Sequence, residues 1–179
     1  MHDANLKPAN DVERHTLTVL VDNAAGVLAR VVGLFSGRGY NIESLTVAEV
    51  DAVGRTSRIT IVTSGTPAVI EQIENQLRRL VPTHKVTNWT DTRNGQKAGI
   101  EREMALIKVA GSGDKRVEAL RMADAFRARP VDTTAASFVF EITGAPGKID
   151  SFIELMRPLG LVEVSRTGVA AISRGPEAM

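Results

Sequence analysis

Residues 22–48 read DNAAGVLARVVGLFSGRGYNIESLTVA, and their reading decides the fold. Val27, Leu28, Val31, Val32, Leu34 and Phe35 recur at the spacing of one helix face, so they form its core-facing stripe. Gly37 and Gly39 stop that helix, because glycine enters the left-handed conformation that closes a helix C-terminus without steric cost. Upstream, residues 22–26 make a tight turn out of a strand. Downstream, Asn41 to Val50 is rich in Ile, Leu and Val and reads as a second strand. The two junctions carry amides, Asn23 and Asn41, and bare glycine backbone, with no catalytic group beside them. Such residues hold a small polar ligand rather than react with it.

The pattern extends in both directions. Leu17, Val19 and Val21 alternate with Thr16, Thr18 and Leu20, which predicts a largely buried first strand. The loop at 51–54 turns the chain into a third strand, Ser57 to Thr63. Ser-Gly-Thr-Pro at 64–67 is a helix start, with Pro67 near the first helical position. Val69, Ile70, Ile73, Leu77 and Leu80 are that helix's apolar stripe, while Glu71, Glu74, Arg78 and Arg79 face outward. Val86 to Thr90 closes a βαββαβ unit. Residues 91–99 lack buried periodicity and read as a linker. The order then repeats: a strand at Met104–Val109, a helix carrying Val117, Leu120, Ala123 and Phe126, a strand pair at Val131–Ala135 and Phe138–Thr143, a helix with Ile149, Phe152, Ile153 and Met156, and a last strand at Leu161–Arg166. The expected fold is α+β, two tandem ferredoxin-like βαββαβ domains. The expected boundaries are a disordered lead-in at 1–13, a first domain at 14–91, a linker at 92–99 and a second domain at 100–179. Each unit leaves one sheet face bare, and small sheets cover such a face with a partner, so a homodimer is expected.

Composition narrows the function classes. The 179 residues include 22 basic and 21 acidic side chains, a net charge of +1, which gives no electrostatic footprint for nucleic acid or an anionic membrane. Cysteine is absent, so disulfides and thiol chemistry are too. The first residues lack the apolar core of a signal peptide, and no apolar run approaches the ~18 residues of a membrane span. The expected location is the cytoplasm.

The motifs carry two readings each. Gly26 enters a helix whose first N–H groups point outward, where the helix dipole favours an anion and a missing side chain permits close approach. Asn23 both donates and accepts, which suits an amino acid carrying a carboxylate and an ammonium. The same residues also make a plain turn with Asn23 beside the N-cap. Asn41, after Gly-Arg-Gly-Tyr, is either a turn residue or a second amide of the same site, met across a dimer interface. Val27 and Leu28 belong to the core stripe and also suit the wall of an aliphatic pocket. His2, His15 and His84 share no ligand spacing, so no metal site is expected. Gly-Arg-Gly at 37–39 is no dinucleotide fingerprint. Gly-Ala-Pro-Gly-Lys at 144–148 lacks the spacing of a P-loop. Gly-Ser-Gly-Asp-Lys at 111–115 reads as a strand-to-helix turn, and Arg166 and Arg174 read as solvated or partner-facing. No Ser, His and Asp set arranges as a triad.

The run GVLARVVGLFSGRGYNIESLTVA, together with VIEQIENQL at 69–77, EREMALIKV at 101–109 and VEVSRTGVAAISRG at 162–175, resembles the small, regulatory subunit of acetolactate synthase, whose N-terminal half is an ACT domain. The resemblance covers nearly the whole chain after Glu13. It implies a chain without an active site that binds and activates a large catalytic subunit. That subunit carries thiamine diphosphate, Mg²⁺ and FAD, and condenses 2-oxo acids in valine, leucine and isoleucine biosynthesis. The resemblance further implies that a branched-chain amino acid, usually valine, binds at a dimer interface and imposes feedback inhibition. The matching positions are Asn23, Gly26, Val27 and Leu28 on one subunit, with Asn41 and Ile42 on the other. A free-standing amino-acid sensor without an enzyme partner is the competing reading.

Overall fold

The computed structural model describes residues 11–93 and 96–179, with only the backbone described at 92, 93, 96 and 97. Most of the expected lead-in, residues 1–10, lies outside them; Glu13 already belongs to the first strand. The chain divides into two compact units, one running to Ile100 and taking in Ala171–Met179, the other Glu101–Ala170.

The first unit contains β1 (Glu13–Asp22), α1 (Val27–Gly37), β2 (Ser44–Asp51), β3 (Thr56–Gly65), α2 (Pro67–Arg79) and β4 (Thr83–Asn88). Its antiparallel sheet has the order β2-β3-β1-β4, the ferredoxin-like arrangement. Leu17, Val19 and Val21 of β1 stand opposite Ile61, Ile59 and Ser57 of β3. Because side chains alternate along a strand, the odd-numbered residues of β1 share the face that meets the helices. Phe35, Ile73 and Leu77 pack there with no exposure. Burial and chain geometry agree at the ends of both helices. Pro67 occupies the first turn of α2, and Arg78 and Arg79 sit in its last turn, where the dipole favours cations. After α1, Gly39 takes φ 71° and the Tyr40 amide donates to the Phe35 carbonyl.

Two expectations about this core need correction. Leu28 is 41% exposed, so the core stripe of α1 is Val27, Val31 and Phe35 with Leu34 partly buried. The far face of the sheet is not bare. Thr18, Thr60 and Val62 lie on it and are buried, and Trp89 lies across it with its Nε1 donating to Thr18 Oγ1 at 2.7 Å. Gly99 passes so close under Trp89 that a Cβ there would stand 2.7 Å from the indole ring. Arg58 on the same face donates to the Ala171 carbonyl at 3.1 Å, and the Arg174 amide to that of Ala98. The unit thus covers this face with its own chain.

Within the stretch read as a linker, β5 (Thr92–Arg93) and β6 (Gln96–Lys97) pair as a short ladder. The second unit follows with β7 (Gly99–Ala110, which starts in the first), α3 (Gly113–Ala125), β8 (Arg129–Thr133), β9 (Ser137–Gly144), α4 (Pro146–Gly160) and β10 (Leu161–Arg166). Its order is β10-β7-β9-β8, the same topology as in the first unit. One further strand, β11 (Ala170–Ser173), lies beyond the expected last strand and pairs with β7. Ile107, Phe140, Phe152, Ile149 and Met156 form the core, with Phe140 and Phe152 edge to face at 6.1 Å. α3 buries Ala119 and Ala123 rather than Val117 and Leu120, which are 49% and 40% exposed. Gly160 is required where it stands: its φ is 108° and a Cβ would sit 1.9 Å from the Ala110 carbonyl oxygen.

Candidate functional site

The turn from β1 into α1 is held from below and open above. The Asn23 amide donates to the Arg55 carbonyl at 2.6 Å, and the Ala24 amide to that of Asp22 at 2.9 Å. Asp22 Oδ1 meets His84 Nε2 at 2.5 Å. These bonds fix the backbone and leave the Asn23 side chain exposed, without a protein partner among the described residues. Gly26 is the N-cap residue, with φ 82°, and no side chain caps the helix. A Cβ on Gly26 would meet nothing within 4 Å, so glycine is needed here for its backbone conformation and leaves open space above it. Among the described residues, no backbone carbonyl accepts from the Leu28 or Ala29 amides. First-turn donors of this kind, with the positive end of the helix dipole, are suited to an anion.

The six expected site residues fall at two places. Asn23, Gly26, Val27 and Leu28 gather at the C-terminal end of β1. Val27 is buried, its side chain in the core and its amide donating to the Ala24 carbonyl at 3.4 Å, whereas Leu28 exposes an aliphatic surface. Asn41 and Ile42 gather at the other end of the sheet. The Asn41 carbonyl accepts from Thr63 Oγ1 at 2.6 Å, and Thr63 stands opposite His15 near the start of β1. Asn41 and Ile42 precede β2 rather than opening it, since the ladder begins at Ser44. The Asn41 side chain is exposed, and Ile42 packs half-buried against the core. From His15 to Asp22 is seven strand residues, about 23 Å at ~3.3 Å each. One chain therefore does not bring the two amides together.

Other sequence motifs resolve into structure. Gly111 to Lys115 is a strand-to-helix turn, with Ser112 as the N-cap of α3. Lys148 donates to the Thr143 carbonyl at 3.3 Å, so its ammonium is spent on its own backbone. Arg166, read as solvated or partner-facing, grips the buried Glu103 and reaches Asp150. Its guanidinium pKa is raised, first by the bond to Glu103, against burial, which lowers it. The buried pair His15 and Asn88, whose amide nitrogen donates to Glu74 at 3.0 Å, carried no sequence signal, because its members lie 73 residues apart. Among the described residues, no group of three His, Cys, Asp or Glu could hold a metal ion. No described helix is long and apolar enough to cross a membrane.

Comparison with known proteins agrees with this architecture. Residues 17–85 match the family model of the AHAS small subunit-like ACT domain, and residues 102–175 that of the small subunit of acetolactate synthase. A probable acetolactate synthase small subunit from Archaeoglobus fulgidus is 46% identical over 162 residues, 90% of this chain and 98% of that protein. The acetolactate synthase isozyme 3 small subunit of Escherichia coli is 44% identical over 167 residues, 93% of this chain and 99% of that one. The crystal structure of the acetolactate synthase small subunit from Thermotoga maritima superposes with a TM-score of 0.78 at 39% identity, covering 92% of this chain and 99% of that one. With two ferredoxin-like units, the first an ACT domain, and relatives this similar along nearly its whole length, the chain belongs to the acetolactate synthase small-subunit family.

Proposed function

We propose that this chain is the non-catalytic regulatory subunit of acetolactate synthase, which activates the catalytic subunit and confers feedback inhibition by a branched-chain amino acid, valine first. The observation that carries the effector reading is the uncapped start of α1 at Gly26, open above its backbone and bordered by the exposed Leu28 and by the Asn23 side chain, which has no protein partner among the described residues. The N–H groups take the carboxylate, the amides take the polar ends and the aliphatic surface takes the isopropyl group.

The separation of Asn23 from Asn41 supports a homodimer with two equivalent sites. In a two-fold arrangement, a patch on one protomer meets the same patch on its partner in reverse. The start of one α1 then lies beside the partner's Asn41 and Ile42. The β2 edge suits such pairing: it ends the sheet order among the described residues and exposes Val47 and Val50. Gly33 and Gly37 leave the exposed side of α1 bare enough for a neighbour to approach closely. Thiamine diphosphate, Mg²⁺ and FAD belong to the catalytic partner, and the reaction takes place there, in the cytoplasm.

The test is an acetolactate synthase assay of the catalytic subunit with and without this chain, across a valine titration. Activation by the chain, with valine inhibition that Asn23→Ala abolishes, is the expected result. Inhibition requires a coupling of about 1–3 kcal/mol between the two sites. Activation unaffected by valine, leucine or isoleucine would remove the effector role.

A further inference from the structure

Asp150, Ile153, Glu154 and Arg157 recur along α4 at the spacing that puts them on one face. Together with Leu161, Val164 and Arg166 of β10 they line a groove of about 380 Å³, within the range of small-ligand clefts. Its floor is aliphatic: Ile153 is buried, and Leu161 and Val164 are half-buried against the core.

The rim carries both signs of charge, and part of it is already occupied. Arg166 gives Nε and Nη2 to Glu103 and Nη1 to Asp150 Oδ1 at 2.7 Å, which pins the Asp150 carboxylate in place. Arg157 gives only Nε, to Glu154 Oε1 at 2.9 Å. Among the described residues, both terminal nitrogens of Arg157 and the second oxygens of Asp150 and Glu154 have no protein partner. The groove therefore presents a fork of donors, two carboxylate oxygens and an apolar floor in one place.

We propose that this groove binds an aliphatic α-amino acid in its zwitterionic form. The Arg157 fork takes the carboxylate in a paired, charge-assisted contact. Asp150 Oδ2 and Glu154 Oε2 take the ammonium, and the side chain lies on Ile153, Leu161 and Val164. A plain anion meets the two carboxylates unfavourably, and a plain amine leaves the Arg157 fork unmatched. One chain supplies the whole groove, so it fills without dimer contacts. The site neither depends on the effector reading of the first unit nor repeats it.

Amide chemical shifts of the full-length ¹⁵N-labelled chain, titrated with L-leucine, test this. The probes lacking one charge are 4-methylpentanoate and 3-methylbutylamine. The expected result is saturable shifts at residues 150–166 with leucine, retained in Asn23→Ala and weakened about tenfold or more in Arg157→Gln, with both single-charge probes far weaker. Arg157 is a surface side chain, so its variant keeps the fold. Shifts confined to residues 22–42, or shifts at 150–166 unchanged in Arg157→Gln, would overturn the site. Equal binding of either single-charge probe would overturn the ligand class. Silence at 22–42 with movement at 150–166 would instead count against the first-unit reading alone.

Discussion

Arg166 closes a two-pronged ion pair on Glu103, Nε to Oε1 at 2.7 Å and Nη2 to Oε2 at 2.6 Å, across strands β10 and β7. Glu103 is 5% exposed, so its charge depends on that partner. Arg166→Met strands a buried carboxylate, and removing one member of a buried pair costs about 3 kcal/mol or more. The expected fall in Tm is roughly 6–12 °C at about 2–4 °C per kcal/mol. Adding Glu103→Leu to the same chain should recover much of the loss, which calorimetry of the single and double variants checks. Equal losses in both would mean that the arginine matters for packing alone.

Gly26→Ala separates backbone strain from ligand binding. A Cβ finds no obstacle there, so the cost is the left-handed φ of 82°, about 1–2 kcal/mol. The variant should fold with a modestly lower Tm and, on the proposed effector role, lose the stabilisation expected of valine on the wild-type chain. At 100 times its dissociation constant a ligand adds about 2.7 kcal/mol. Thermal scans with and without valine measure both quantities, and a full valine shift in the variant would move the anion contact elsewhere.

The distance between Asn23 and Asn41 predicts complementation between inactive variants. On the proposed two-fold dimer, Asn23→Ala and Asn41→Ala chains refolded together should form mixed dimers in which one site carries both substitutions and the other carries neither. With random pairing, about a quarter of all sites are intact, so valine binding should reappear at roughly that level by calorimetric titration. Binding that stays absent in the mixture would mean that both amides serve the same chain's site.

Trp89 is the chain's single tryptophan and makes a direct probe of the far sheet face. Its burial predicts blue-shifted emission that moves red on unfolding. Trp89→Phe keeps an aromatic ring but removes the donor to Thr18 Oγ1, which retains Thr60 Oγ1 at 3.2 Å. The expected loss is about 1 kcal/mol by denaturant titration. A loss several times larger would show that the indole's shape, not its hydrogen bond, secures that face.

Lys108 and Glu163 pair on the exposed side of β7 and β10 at 2.7 Å. Their hydrogen bond holds the Glu163 pKa below its ordinary value and the Lys108 pKa above its own. A carboxylate with a lowered folded pKa contributes stability above its unfolded value and loses it as pH falls through the folded one. An ammonium with a raised pKa contributes below its unfolded value and loses it as pH rises through the folded one. The pair should therefore act across the neutral range and fade at both extremes. NMR titration of Glu163 in wild type and Lys108→Ala checks the direction, since the variant should titrate at higher pH.

The sequence by itself determined the two βαββαβ units, because period-2 and period-3.6 apolar patterns are local properties. Leu17, Val19 and Val21 announce a strand, and Ile70, Ile73 and Leu77 a helix, whatever surrounds them. The turn at Asn23–Gly26 was legible for the same reason, since glycine at a helix start is a local demand of the backbone. Tertiary structure alone decided which of those apolar residues are buried. Leu28 and Leu120 fit a stripe by spacing but remain 41% and 40% exposed, while in the second unit Ala119 and Ala123 are the residues of α3 that the core buries. It also decided every pairing between distant residues: Arg166 with Glu103, His15 with Asn88, and Trp89 with Thr18. Strand order sets these, and strand order comes from packing both helices on one face of a twisted sheet, not from any residue's own preference. The same topology puts Asn23 and Asn41 at opposite ends of the sheet, a separation that no local pattern encodes.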